Sequence, residues 1–502
     1  MKTGRIAILF LATLALPLAA APAAAPEAEK ELFAARYDRA AELYSKLLRD
    51  DPAWAPGYYG LVRALIGAYR AREAYAAAAQ GLQHAPESAE AQTAAGIAAY
   101  RRGNLPNAGA CFRKARQINP DYPYALSGLA SVYLASSKVK TSRELMAQAY
   151  HHSPSDPQLI TAWAHALHGA ERIAALERAL AIFDPASREA RRLAVRIAVE
   201  KAAGERKLRR LNSPYQSYKI ELWPIGAGPD GLDAFGLRVR LNDARTVRLI
   251  LDTGASGISI TAKAAEKAGL EKLGDKSFDV HGIGDQKPQG GFAYLAPAVG
   301  VGDLRFTDVP VEAFPSAKSD YYDGVIGTDI FDLFQVAIDF QKMRLDLAPY
   351  PDGQPDADRP IDASDTLPAG FWRAPQFGHC LTVPTSINDG PPQLFLIDTG
   401  AWGSLIDTGT AEESTKVRRD HGPGVAGLQG PVDKVSRAAN VSLVFAGFHQ
   451  DNSNLLAISL EDLGDEMGVG FAGILGRPVL SQMKITIDYR NGAVRFEKTT
   501  RR

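Results

Sequence analysis

The chain has 502 residues and only two cysteines, Cys111 and Cys380. Two thiols so far apart supply no disulfide framework. No paired histidines accompany them and no HExxH occurs, so they offer no tetrahedral metal site. They read as small hydrophobes. His281, His379 and His421 likewise lack partners at ligand or triad spacing. Excess charge is absent as well, because 57 basic residues balance 57 acidic ones. No basic stripe breaks that balance, which argues against nucleic acid or an anionic membrane as a partner. Neither a metal nor an organic cofactor is called for.

An apolar run able to span a bilayer comfortably is missing from the N-terminus. The run from Ile6 to Leu16 is short, follows Lys2 and Arg5, and gives way to Pro17 and an alanine-rich stretch ending at Ala25. Those are the parts of a secretory signal peptide, residues 1–25. No cysteine near the cleavage zone offers a lipid anchor. The expectation is export to the periplasm or beyond, with no integral span after cleavage; an uncleaved anchor is the alternative.

What the sequence does have is a period. Pro52, Pro86, Pro120 and Pro154 recur every 34 residues, each closing a helical stretch. In the best copy, from Ala89 to Tyr122, the small, aromatic and proline positions are Gly96, Gly103, Ala108, Phe112, Ala115 and Pro120. Residues 26–204 therefore resemble a tetratricopeptide-repeat solenoid. After Pro154 the phase is expected to slip, and "ASREARRLAVRIAVEKAAGERKLRRL" reads as a long charged capping helix. That resemblance implies a concave face that binds peptides or partner proteins; a rigid spacer is the plainer reading.

From about Ser213 the texture changes to short alternating strands such as "LRVRL", "RTVRLIL" and "VAIDF". The Pro/Asp-rich residues 349–368 read as a linker. On either side of it the chain repeats itself. "LILDTGASGISI" at Leu249 returns as "FLIDTGAWGSLI" at Phe395, and Asn-Asp precedes each DTG at the same distance. Downstream, "GVIGTDIFDLFQVAIDFQKMRLDL" from Gly324 aligns without a gap on "GILGRPVLSQMKITIDYRNGAVRF" from Gly473. The offset is 146 residues at the DTG and 149 downstream, so two copies of one β-lobe are present: residues 213–348 and 369–502.

Duplication suits a chemistry that needs one acid from each of two related lobes. Two carboxyl groups about 3 Å apart cannot both ionise cheaply, so they share a proton and titrate as a pair. The ionised one takes a proton from water while the other gives one to a peptide carbonyl. Asp252 and Asp398 are placed for that. Gly254 and Gly400 permit the tight acid loops, and the Thr253 and Thr399 hydroxyls are able to tie those loops together. With "VIG" at Val325 and "ILG" at Ile474, residues from about 220 to 498 resemble a two-lobed aspartic protease. Ala255 and Ala401 after each DTG are similar to the retropepsin-like group of bacterial aspartyl proteases.

The resemblance implies a small closed β-barrel-like unit per lobe, a flap hairpin near each of "HGIGDQKPQGG" and "GPGVAGLQGPVDK", and no metal or cofactor. It also implies hydrolysis of a peptide or protein substrate by water held at Asp252 and Asp398. One departure is Trp402, which stands where the first lobe has Ser256 and either crowds the cleft or shapes a pocket. A catalytically inactive peptide-binding scaffold is therefore the alternative reading. Two further signals read as structural. Asp407, in a third DTG, falls at a helix N-cap, and "GPGVAG" at Gly422 lacks the strand and helix of a dinucleotide site.

Overall fold

The computed structural model describes residues 24–498 apart from 137, 205, 227–233, 275–276, 281, 288, 316–320, 351–380 and 420–423. The predicted signal peptide, the linker, Cys380, His281, His379 and His421 lie essentially or wholly outside the described residues. The fold is an all-α repeat array followed by an all-β bilobed unit. No helix among the described residues is long and apolar enough to cross a membrane.

The array is built of antiparallel helix pairs. First helices begin at residues 55, 89, 123 and 157, and second helices at 37, 71, 105 and 139. The 34-residue period thus continues one helix beyond Pro154 and slips only at the next, which starts at Gly169 rather than 173. Close crossing explains the small residues: a methyl group on Gly96 would stand 2.5 Å from the Phe112 ring, which is itself buried. Polar caps start several helices. Ser88 accepts from Glu90 and Ala91, and Asp156 accepts from Gln158 and Leu159. The expected long capping helix is shorter in the structure. It runs Arg188–Ala203 and stops at Gly204, whose φ of +62° suits glycine. The following Arg210–Leu211 already pairs with Phe306 and Thr307 of the first lobe.

The array also bends back on itself. Arg63, in the helix Ala55–Gly67, bonds Asp156 at 2.9 Å and Gln158 at 2.7 Å, three repeats further on. Asp156 is wholly buried, its other oxygen capping the helix Pro157–Ala164. Rings of Phe33, Tyr59 and Tyr124 surround the Arg63 guanidinium. At the seam, Asp184 donates its N–H to Ala34 at 2.9 Å and pairs with Arg36. Residues of the first helix, Ala25–Phe33, and of the last share one hydrophobic cluster, which includes Leu32 and Leu193.

Each lobe is a closed ring of six strands. In the first lobe these are β1 (Ala234–Leu241), β2 (Arg245–Asp252), β3 (Ile258–Thr261), β4 (Gln289–Val301), β5 (Leu304–Phe314) and β6 (Gly324–Gly327). The hairpin β7 (Phe334–Asp339) and β8 (Arg344–Pro349) follows. The second lobe repeats the set as β9 (Thr382–Ile387), β10 (Gln393–Ile397), β11 (Leu405–Asp407), β12 (Ser436–Phe445), β13 (Phe448–Ile458) and β14 (Gly473–Leu475). Its hairpin is β15 (Met483–Asp488) and β16 (Ala493–Lys498). The first ring runs β1-β2-β6-β3-β5-β4 and closes on β1; the second runs β9-β10-β14-β11-β13-β12 and closes on β9. Equivalent strands differ by eight, as a duplication requires.

The two halves share a sheet. β7 pairs antiparallel with β15, placing Val336 opposite Ile487 and Ile338 opposite Ile485, all fully buried. Outside them lie β8 and β16, and Tyr218–Glu221 adds an edge strand on β8. The apolar residues of this sheet belong to a core continuous through both lobes. The Asn-Asp pairs turn the β1-β2 and β9-β10 hairpins. All four residues have φ between +47° and +60°, which Asn and Asp tolerate better than most side chains.

The array is fastened to the second lobe. Arg101 forms a buried ion pair with Asp465 and donates to the Gly464 carbonyl at 2.5 Å. Gly470 N–H returns a bond to the Arg101 carbonyl at 2.6 Å. Glu466 is held by Tyr69 and by Arg192. One apolar cluster joins Phe112, Leu126 and Leu129 of the array to Leu394, Leu396 and Ile474 of β10 and β14. The array therefore packs against the sheet from which the second acid loop springs.

Candidate active site

Both DTG segments leave the ends of buried strands. β2 runs parallel to β6, with Asp252 opposite Gly327, and β10 runs parallel to β14, where Asp398 N–H donates to Leu475 at 3.0 Å. β3 and β11 fold back antiparallel on the other side of those glycine-bearing strands. This leaves no room for side chains at the crossing. A methyl group on Gly327 would sit 2.5 Å from the Ala255 carbonyl oxygen. The acids are thus delivered by hydrogen-bonded strands on which the loops have little freedom to move.

The threonines lock the two loops together. Thr253 N–H donates to Thr399 Oγ1 at 3.1 Å, and Thr399 N–H donates to Thr253 Oγ1 at 3.0 Å. Each hydroxyl then donates across the interface, Thr253 to the Ile397 carbonyl and Thr399 to the Leu251 carbonyl, both at 2.6 Å. The exchange is symmetric, and both threonines are buried. Four bonds satisfied inside a low-dielectric interface make a stiff joint.

Asp252 and Asp398 meet at that joint, hydrogen-bonded to each other. Asp252 accepts the Gly254 N–H at 2.7 Å and Asp398 accepts the Ala401 N–H at 2.8 Å. Neither loop glycine has space for a side chain. A methyl on Gly400 would lie 2.7 Å from the Asp252 carboxyl carbon, and one on Gly254 2.9 Å from that of Asp398. Burial raises the pKa of both acids. That of Asp398 is pushed well above the usual carboxyl range, because the Asp252 charge adds to its desolvation. Asp252 rises too, against the opposing bonds from Gly254 and Asp398. One proton shared by the pair is the arrangement these effects favour.

Two hairpins meet tip to tip. One is formed by Phe278–Val280 with the start of β4, the other by Ala426–Gly427 with Gly430–Pro431. Gln429 joins them. Its N–H donates to Ile283 at 3.0 Å, its carbonyl accepts from Gln286 at 2.9 Å, and its side chain bonds Gly282 and Gln286. Asp285 N–H also reaches the Pro431 carbonyl. Sequence reasoning located both hairpins and missed this ladder, because a single glutamine in a glycine-rich turn carries no pairing signal.

Trp402 does not stand between the acids. It is 61% exposed, the most exposed large hydrophobic among the described residues. Asp407 caps the helix Thr408–Ser414 by accepting the Thr410 N–H, and also accepts that of Leu460. Its lobe-1 equivalent, Thr261, caps Ala262–Lys267 in the same way. "GPGVAG" ends in the second of these hairpins, at Ala426 and Gly427. Among the described residues, no group of three His, Cys, Asp or Glu side chains is clustered for a metal.

Residues 237–330 and 383–479 each match the family model described as aspartyl protease. These two stretches cover the greater part of both barrels, with one acid loop in each. A solved structure titled "Crystal structure of MamA" is similar at 19% identity, over 31% of this chain and 93% of that one, with a TM-score of 0.21. No curated protein matches the sequence.

Proposed function

We propose that the protein is an exported aspartic endopeptidase in which Asp252 and Asp398 activate one water molecule. The observation that carries this reading is the pair of buried, mutually bonded carboxyl groups on loops cross-tied by Thr253 and Thr399. The ionised acid of the pair accepts a proton from water, and the protonated one gives its proton to the scissile carbonyl oxygen as the hydroxyl adds to carbon. Collapse of the resulting diol breaks the C–N bond, sends one proton to the leaving nitrogen and restores the single proton on the pair. The sum is amide plus water to acid plus amine. Gly254 and Gly400 set the spacing of the acids, and the joined hairpins would close over an extended chain and exclude bulk water. Export rests on the N-terminal sequence alone.

The repeats are read as recruiting a substrate or a partner protein, through residues other than Arg63 and Asp156, which are buried against each other.

The direct test is incubation of the full chain with a peptide library from pH 4 to 8, read by mass spectrometry. Cleavage at defined bonds is expected. Binding without cleavage at any pH would support the scaffold reading instead. Gly400→Ala provides an internal check, since its methyl must displace the Asp252 carboxyl group. Misplacing a catalytic group by an ångström costs about 10²-fold, so kcat is expected to fall by about that factor with circular dichroism unchanged.

A further inference from the structure

We propose that the cavity between the helix Ala71–His84 and the second lobe is a binding site for a short peptide with both termini free. It holds about 570 Å³, within the range of about 300–1,000 Å³ usual for ligand sites, which favour domain boundaries. The acid loops are not part of its wall. Arg72 and Tyr75 reach it from the array, and Arg419, Lys434, Glu412 and Glu461 from the lobe. A methyl group on Gly409 would stand 3.6 Å from Arg72 Nη2, so that guanidinium lies across the boundary, beside the helix Thr408–Ser414.

The charges of the wall decide the ligand class. Some are already satisfied: Asp465 by Arg101, and Asp407 by the Thr410 and Leu460 N–H groups. Three cations and two carboxylates remain. Arg72, Arg419, Lys434, Glu412 and Glu461 have no side-chain hydrogen-bond or ion-pair partner among the described residues. A simple anion would meet the cations but would also face both carboxylates, and a simple cation has the converse difficulty. A molecule carrying one charge of each sign answers both. Arg72 suits a carboxylate, whose two oxygens match the guanidinium fork. Glu412 and Glu461 suit an ammonium group. Tyr75, Val435, Leu460 and Phe471 add apolar wall for a side chain. Opposite terminal charges with an apolar side chain between them describe a short peptide. Such peptides are also what the proposed cleavage would release, so on the peptidase reading the ligand is product. The binding itself does not need that reading.

The experiment titrates the full-chain Asp252→Asn protein by calorimetry, so that the probes stay intact. The probes are the tripeptide Ala-Phe-Ala, its N-acetyl form, its C-terminal amide and inorganic phosphate. The free tripeptide is expected to bind, and blocking either end to weaken it about 10-fold, the weight of one bond to a charged group. In the same background, Arg72→Ala should weaken the free tripeptide as the amide block does, and should leave the amide's own affinity within about 2-fold. The double variant Glu412→Gln, Glu461→Gln should stand in the same relation to the acetyl block. All three side chains are exposed, so the fold tolerates the changes. Unchanged affinity in Arg72→Ala puts the peptide elsewhere, the catalytic cleft included, and overturns the inference. Phosphate binding as tightly as the tripeptide, or no binding at all, overturns it as well. Cleavage is assayed separately on the wild type with the peptide library. The expected titrations in a protein that cleaves nothing would sink the peptidase reading alone; active cleavage with titrations indifferent to Arg72→Ala would sink this inference alone.

Discussion

Asp398→Asn is expected to abolish cleavage, by roughly 10⁴-fold given the usual weight of a positioned acid, and at the same time to raise the melting temperature at pH 7. Both effects follow from one proton. The folded state binds that proton more tightly than the unfolded chain, because burial and the Asp252 charge raise the Asp398 pKa. Between the ordinary carboxyl range and the raised value, the native state holds more protons than the unfolded one, so stability falls as pH rises through that window. Asparagine imitates the protonated acid in shape, still accepts the Ala401 N–H and can donate to Asp252. It removes the penalty, and its advantage should vanish below the ordinary carboxyl range. Melting curves from pH 3 to 8 measure this. A variant that is inactive and also destabilised at pH 7 would show that the acid serves the fold instead. The same pair predicts a bell-shaped rate profile: the alkaline limb reports loss of the shared proton, and the acid limb protonation of Asp252, itself raised by burial.

The second large effect lies away from the acids. Arg101→Ala leaves the Asp465 carboxylate, 3% exposed, without its partner and leaves the Gly464 carbonyl without its guanidinium donor. Breaking one side of a buried pair costs about 3–5 kcal/mol, so denaturant midpoints should drop sharply. Asp465 is already raised to about 6 by burial and by Glu461 and Asp462 despite Arg101. Loss of the arginine should therefore hurt most at pH 8 and less at pH 5, where the acid takes up a proton. The double variant Arg101→Ala, Asp465→Asn should recover part of the loss. Activity is expected to fall with stability, because the array shares a cluster with Leu394 and Leu396 on the strand that ends at Asp398.

How much of this was legible in the sequence depended on the range of each contact. The 34-residue period located the helix pairs because every repeat solves the same local packing problem, as Gly96 against Phe112 shows. The acid loops were legible because strand, Asp-Thr-Gly and downstream glycine recur together; the Asn-Asp pairs marked the duplication, and the structure adds that they turn its hairpins. Partners chosen at long range were not. Arg63 and Asp156 are 93 residues apart, Arg101 and Asp465 364 apart, and each residue alone reads as ordinary surface charge. The pairing of β7 with β15 was hidden for a related reason. Sequence aligned the two hairpins with each other, but alignment does not say that equivalent elements will touch.

The returning curve of the array limits how this protein can diversify. An open solenoid gains or loses a unit with modest consequence, since each unit touches only its neighbours. Here the deletion of one 34-residue unit would carry Asp156 out of reach of Arg63, stranding a guanidinium among aromatic rings, and would pull Asp184 from Ala34. Copy number is consequently fixed by a closure condition, and change in this half of the molecule is confined to substitutions that keep the circumference constant.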